Sequence, residues 1–415
     1  MNGLVRSAVT LCRLSVGALF VFSGFVKAID PLGSAYKIGD YFEAFGMSSL
    51  EPTALYLGAL QNAVEIAIGL CLIMGVRMWL ASWALMLFML FYTVLTFLLA
   101  IFNPVSDCGC FGDAIKLTNW QTFFKNLIIF VPTLAIFSVR NRYRSFVGAP
   151  LEWLYVALFF AGSLALSSHC YKHLPPLDFM PYHVGQHLPT AMSIPEGAPH
   201  DEYSTKLIYA KDGKEQEFSD TDFPWQDSTW VFVDSRSTLV KKGYTPPVHN
   251  FSITHQLDGD ITDTALSAEY AFLLIAPKLE KVDTCDWERI KNLAAFAKDK
   301  GYMFLGLTSS TQGYVNDFGA KNALNFDFCS ADETTLKSMV RSHPGLALLH
   351  RGTVVAKWSH RDIPPAAAFG ENPLASSLNM LRKTGESTSG YAYVFACLAA
   401  LLLLVLTGCK RKFVK

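Results

Sequence analysis

The chain has 415 residues, 51% of them hydrophobic and only 17% charged, and its mean hydropathy is positive. That excludes a single ordinary soluble domain and argues for a membrane protein. The 35 basic and 35 acidic side chains cancel, which leaves no electrostatic footprint for nucleic acid, and nine cysteines are too few for a disulfide scaffold at this length. Cys12, Cys71 and Cys397 lie inside apolar runs and read as small packed residues.

A bilayer-crossing helix needs about 20 mostly apolar residues. Six stretches qualify: 5–29, 55–76, 78–102, 122–139, 152–168 and 391–408. The first has Arg6 and Arg13 in front of an apolar middle, as a secretory signal would. It lacks a small-x-small cleavage site and runs on through Lys27 and Asp30, so it reads as a retained span. Between the fifth and sixth spans lies a polar segment of about 220 residues, long enough for one soluble domain.

Orientation follows from the basic residues. Arg6 and Arg13 open the first span, Arg77 separates the second from the third, "RNRYR" (140–144) joins the fourth to the fifth, and "KRKFVK" (410–415) follows the sixth. Strict alternation puts all of these on one side, expected to be the cytoplasm. Both termini are then cytoplasmic, while the loops 30–54 and 103–121 and the segment 170–388 face outward.

The outer loop after the third span carries "SDCGCFGDA" (106–114). One glycine between Cys108 and Cys110 lets the chain adopt the dihedrals that bring two α-carbons into disulfide range. Outside the cytoplasm such a bond persists, and small exposed disulfides belong to the labile, catalytic class. Asp107 and Asp113 flank the pair and tend to raise the thiol pKa. A purely structural disulfide or a free-thiol loop is the alternative. A zinc site would need two further ligands, and topology offers only His169 and Cys170 nearby; no metal is expected.

The opening "RLSVGALFVFSGFVKAIDP" (13–31), "NAVEIAIGL" (62–70) in the second span and "DCGCFGD" (107–113) resemble the DoxX-like superfamily, and within it the methylamine utilisation protein MauE family, over about residues 1–145. The resemblance implies a membrane four-helix bundle linked to thiol chemistry, with disulfide formation in exported proteins as the expected activity. Vitamin K epoxide reductase-like enzymes are a looser analogy, in which a bundle passes electrons from thiols to quinone; this chain has no second CxxC pair of their kind.

Glu65 lies about ten residues into the second span, where an ionisable group is costly and points to function. Gln61 shares its helix face, Asn62 is adjacent, and Lys27 and Lys125 are candidate partners. Two readings stand: a buried ion-pair network that holds the bundle together, and a proton relay or quinone-headgroup contact beneath the cysteine loop.

In the outer segment, "KLIYAKDGKEQEFS" (206–219) reads as a hairpin around Asp212-Gly213. Further on come a strand at 270–277, an amphipathic helix at 286–301 ending in Gly301, a strand at 302–310, a helix at 331–342 and a hairpin at 343–359 turning at Arg351-Gly352. This β-α-β-α-β-β order resembles the thioredoxin-like fold over about 260–365, and Pro344 matches the position of its cis-proline. It departs from that fold where a CxxC pair would open the helix, because "VDTCDWERI" offers the single Cys285 between Asp283 and Asp286. Cys329, in "FDFCSADE", reads as a strand-end core residue.

The expected fold is therefore an α-helical membrane bundle with a DoxX-like four-helix core (1–145) and two further transmembrane helices (150–169 and 389–409). An α/β thioredoxin-like extracytoplasmic domain occupies 170–388, and 410–415 is a basic cytoplasmic tail. The expected activity is thiol–disulfide exchange in the cell membrane, the inner membrane in a Gram-negative cell. Cys108 and Cys110 are the catalytic residues, Glu65 assists, and quinone is the one cofactor considered. The partners are exported protein substrates or redox proteins and the lipid bilayer. The alternative is a non-catalytic membrane assembly factor with a partner-binding module.

Overall fold

The computed structural model describes residues 3–105, 107–142, 149–211, 214–219, 222–225, 227–241, 243–282 and 285–384. The expected sixth span (391–408), the tail 410–415, the turn residues Asp212 and Gly213, Asp283 and the last residues of "RNRYR" lie outside them.

Among the described residues five helices are long and apolar enough to cross a membrane, which makes this a multi-pass membrane protein. They are α1 (Gly3–Ile29), α3 (Ala54–Met74), α4 (Met78–Phe102), α5 (Asn119–Ser138) and α6 (Ala149–Lys172). Composition alone sets most of these bounds, and caps set the rest. The Thr118 hydroxyl accepts from the Gln121 N–H, and the Gln121 side chain answers from the Thr118 N–H, so α5 begins three residues before its apolar run.

The helices α1 and α3 pack closely along their length, as do α4 and α5. The first contact depends on small residues. A β-carbon on Gly69 would lie 2.7 Å from the Gly17 carbonyl oxygen and 2.7 Å from the Val21 nitrogen. In lipid, where apolar surface is not itself driven together, such backbone approach carries helix association.

The loop 30–54 contains a helix that hydropathy does not reveal, α2 (Pro31–Ala44), followed by a 3₁₀ turn, Ser48–Thr53. Its start is written in the sequence: the Asp30 carboxylate accepts from the Gly33 N–H at 2.8 Å, and Pro31 occupies the first helical position.

After α6 the chain forms an α/β region. Following the short α7 (Leu188–Met192), β1 (Glu202–Lys211), β2 (Lys214–Ser219) and β3 (Val231–Lys241) make an antiparallel sheet ordered β2-β1-β3. The expected hairpin is its first half, paired Lys211 to Lys214.

A seven-stranded sheet follows, built from β4 (Thr254–His255), β5 (Gly259–Asp260), β6 (Tyr270–Ile275), β7 (Met303–Thr308), β8 (Phe328–Ser330), β9 (Gly345–His350) and β10 (Thr353–Ser359) in the order β10-β9-β6-β7-β8-β4-β5. The helices α8 (Thr262–Ser267), α9 (Trp287–Asp299), α10 (Gln312–Asn322) and α11 (Glu333–Met339) join them.

Strand β6 is parallel to β7 and antiparallel to β9. Its side chains alternate between two cores, Leu273 and Ile275 with Leu336 and Met339 of α11 on one face, Phe272 and Leu274 with Ile290 and Leu293 of α9 on the other. Burial on both faces explains why its sequence, YAFLLI, is continuously apolar. The β9–β10 turn is the expected Arg351-Gly352, both at positive φ. The unit α10–β8 was not anticipated; it places Cys329 in β8, buried as expected of a strand-end core residue.

The α/β region rests on the end of the bundle that carries α2 and the loop 103–118. Arg341 donates from Nε to Asp30 Oδ2 at 2.9 Å and from Nη2 to Asp113 Oδ2 at 2.8 Å. The Tyr36 hydroxyl lies 2.6 Å from His343 Nε2, Lys281 reaches Glu51 at 2.7 Å, and the Ser359 hydroxyl donates to the Lys172 carbonyl at 2.9 Å.

Candidate functional site

Cys108 and Cys110 form a disulfide with α-carbons 5.6 Å apart. Gly109 sits between them at φ 62°, the left-handed backbone that only glycine adopts without a side-chain penalty. Polar groups of the bundle hold the loop. The Tyr41 hydroxyl of α2 donates to the Cys108 carbonyl at 2.7 Å. Ser23 Oγ of α1 lies 2.8 Å from the Cys110 carbonyl oxygen and 2.9 Å from Glu65 Oε2, and its one proton can serve either. Phe111 turns inward, buried, with its ring 5.7 Å from that of Phe22.

The two aspartates that were expected to oppose thiolate formation are both paired with cations. Lys37 meets Asp107 at 3.0 Å, and Asp107 also accepts from the Gly109 N–H at 3.0 Å. Asp113 is held by Arg341 from the α/β region. Each pairing offsets the negative potential that the sequence places beside the sulfurs.

Glu65 is 1% exposed. Its carboxylate accepts from Lys27 Nζ at 2.5 Å, from Gln61 Nε2 at 3.4 Å and from the Tyr92 hydroxyl. Lys27 and Gln61 are thus the expected neighbours, whereas Asn62 points elsewhere, to Ser34 Oγ at 3.4 Å. Lys125, the other candidate cation, has its ammonium 4.4 Å from the Phe111 ring centroid. Tyr92 and Ser23 were not foreseen. A tyrosine in the middle of the 25-residue apolar helix α4 was the available signal for the first.

Cys108, Cys110 and Glu65 line one cavity of about 410 Å³. It runs between α1, α3, α4 and α5, with α2 and the cysteine loop as its roof. Lys27, Gln61, Tyr92 and Lys125 add polar groups to a wall that is otherwise apolar.

Cys285 stands apart from this arrangement. It is a free cysteine, half-buried against the α9 face of the sheet. Burial, then the Asp286 carboxylate, push its thiol up to about 11. The N-terminus of α9 serves Asp286, whose carboxylate caps the Arg289 N–H at 3.1 Å. His169 and Cys170 lie at the end of α6, and among the described residues no group of three His, Cys, Asp or Glu side chains could hold a metal ion.

The family model described as methylamine utilisation protein MauE matches residues 5–138, which contain the whole cavity and the cysteine loop. Residues 5–138 are a MauE-like membrane domain. A second model, a domain of unknown function (DUF8463), matches residues 203–242, the three-stranded sheet β1–β3. No curated protein and no solved structure matches the chain.

Proposed function

We propose that this protein exchanges disulfides with exported proteins through Cys108 and Cys110. The observation that carries the reading is the Cys108–Cys110 bond itself, held by backbone grips in a loop just outside the spans, at the seam with the α/β region. A partner thiolate attacks one sulfur and forms a mixed disulfide. A second partner thiol then resolves it and leaves Cys108 and Cys110 reduced. Two cysteines one residue apart supply both sulfurs without any conformational change.

On this reading the loop and the α/β region face the exterior and the short basic loops face the cytoplasm. The α/β region is taken as a thioredoxin-like module that has lost its dithiol and recruits partners. Its parallel β6–β7 pair, the helix that follows β6, the antiparallel β9–β10 hairpin and the cis peptide before Pro344 support that assignment. The raised Cys285 thiol supports a binding role over a redox one. The name of the MauE model suggests an accessory role in methylamine utilisation, here as disulfide formation in an exported component.

The test is maleimide mass-tagging of a reduced, unfolded model protein incubated with the purified full chain. The wild type should oxidise it. Cys108→Ser and Cys110→Ser should abolish oxidation, while Cys285→Ser retains it. Equal loss in Cys285→Ser, with a Cys285 crosslink to the loop, would overturn the binding-module reading. Full activity in Cys108→Ser would overturn the function.

A further inference from the structure

An oxidant that transfers its disulfide is left as a dithiol, and no second cysteine pair accompanies Cys108 and Cys110 among the described residues to carry the electrons away. Turnover therefore needs a two-electron acceptor that reaches the loop by another route. The cavity supplies the route. Its wall includes Phe45, Met47, Leu57 and Phe91, all more than 40% exposed on the outside of the bundle, so it opens through apolar side chains. Glu65, Lys27, Gln61, Tyr92 and Lys125 line the same cavity, and Cys108 and Cys110 form part of its roof.

Resting on the thiol-exchange reading, we infer that the cavity binds a lipophilic quinone, which reoxidises Cys108 and Cys110. The two thiols lose two electrons and two protons as the S–S bond forms. The quinone gains two electrons and two protons and leaves as the quinol. A quinone headgroup is a flat ring with carbonyl acceptors at opposite ends and an apolar tail.

The cavity offers an aromatic wall in Tyr41, Phe42 and Phe45 and an apolar mouth for the tail. Lys125 Nζ, whose contact is the Phe111 ring, is a donor with no carboxylate partner among the described residues. The Lys27–Glu65–Tyr92 cluster brings exchangeable protons into the cavity that Cys108 and Cys110 also line, and Ser23, within 2.9 Å of Glu65 and 2.8 Å of the Cys110 carbonyl, holds it close to the loop. A lipid acyl chain would need none of these groups, and ionisable side chains at membrane depth are costly without a use. The volume suits a small-molecule site.

The test uses the purified full chain, reduced with dithiothreitol and desalted under argon, then mixed with decylubiquinone or dimethylnaphthoquinone. Quinol formation is followed by absorbance and the thiols by maleimide tagging. The inference expects one quinol per disulfide regained. It also expects at least a tenfold slower reaction in Leu95→Trp, which fills the cavity, and a severalfold higher quinone KM in Lys125→Met.

If wild type consumes neither quinone while diamide restores the disulfide and the loop still oxidises the model protein, the quinone is refuted and thiol exchange stands. If the loop oxidises no model protein either, both fall. Unchanged quinone kinetics in both variants would refute the cavity as the site. Recovery of phospholipid alone from the purified chain, undisplaced by decylubiquinone, would assign the cavity to lipid and also overturn the inference.

Discussion

Replacing Arg341 with Gln should loosen the α/β region from the bundle and free the cysteine loop. The guanidinium is 10% exposed and makes two charge-assisted hydrogen bonds, to Asp30 at 2.9 Å and Asp113 at 2.8 Å. Each such bond contributes about 1.5–3 kcal/mol, and removing one partner of a buried pair costs roughly 3–5 kcal/mol. The two carboxylates are 21% and 22% exposed and stay hydrated. Asp30 also keeps the Gly33 N–H, and Asp113 keeps Lys116 at 3.6 Å. The expected loss is therefore lower, about 2–3 kcal/mol, or roughly 30- to 150-fold in the docked-to-open ratio. Hydrogen exchange read by mass spectrometry should show that factor in peptides covering 31–44 and 107–118, with the helices α4 and α5 unaffected. Tyr36→Phe, which removes only the contact to His343, should cost about 1 kcal/mol. Exchange unchanged within twofold in both peptides of Arg341→Gln would refute the claim that Arg341 couples the two halves.

Two further outcomes follow from packing and protonation. Gly69→Val places carbon 2.7 Å from the backbone of α1 and should cost about 1–3 kcal/mol, lowering the thermal midpoint of the purified protein; Gly162→Ala, with nothing within 4 Å, is the control and should not. Alkylation of Cys285 should be slow at pH 7 and rise about tenfold per pH unit toward its raised value near 11, since only the thiolate reacts; a rate at pH 7 equal to that of the denatured chain would show that the thiol is not buried as described.

The first five spans were legible because a lipid-crossing helix must be long and apolar, a signal that does not depend on tertiary contacts. The strand β6 and the β9–β10 turn were legible for similarly local reasons, a doubly buried apolar run and an Arg-Gly pair at positive φ. The helix α2 went unseen because it is neither long nor apolar, although Asp30-Pro31 is a start signal. At the site, Cys108, Cys110 and Glu65 could be singled out as unusual in their settings, and the sequence offered Lys27 and Lys125 as partners for Glu65 without choosing between them; the ion pair is with Lys27. Arg341 could not. It lies 228 residues after Asp113 in the chain, and nothing in "SMVRSHPG" marks it as the cation for two carboxylates in another half of the protein. The surroundings of Asp107 and Asp113 were likewise read from neighbours in sequence, whereas their partners Lys37 and Arg341 come from elsewhere in space.

The seating of the α/β region gives the Arg341→Gln variant a second use. Arg341 and His343 immediately precede the cis peptide at Pro344, and they contact α2 and the cysteine loop. A region that recruits partners to the loop and one that shields it would both dock in this way, but they respond oppositely to undocking. Shielding predicts faster oxidation of a small dithiol and of a protein substrate alike once Arg341 is removed. Recruitment predicts that the small dithiol reacts as fast or faster while the protein substrate reacts more slowly, because its effective concentration near the loop falls. The function proposed above requires the second pattern. A gain for both substrates would keep Cys108 and Cys110 as the exchanging pair but turn the α/β region from a recruiting module into a cover.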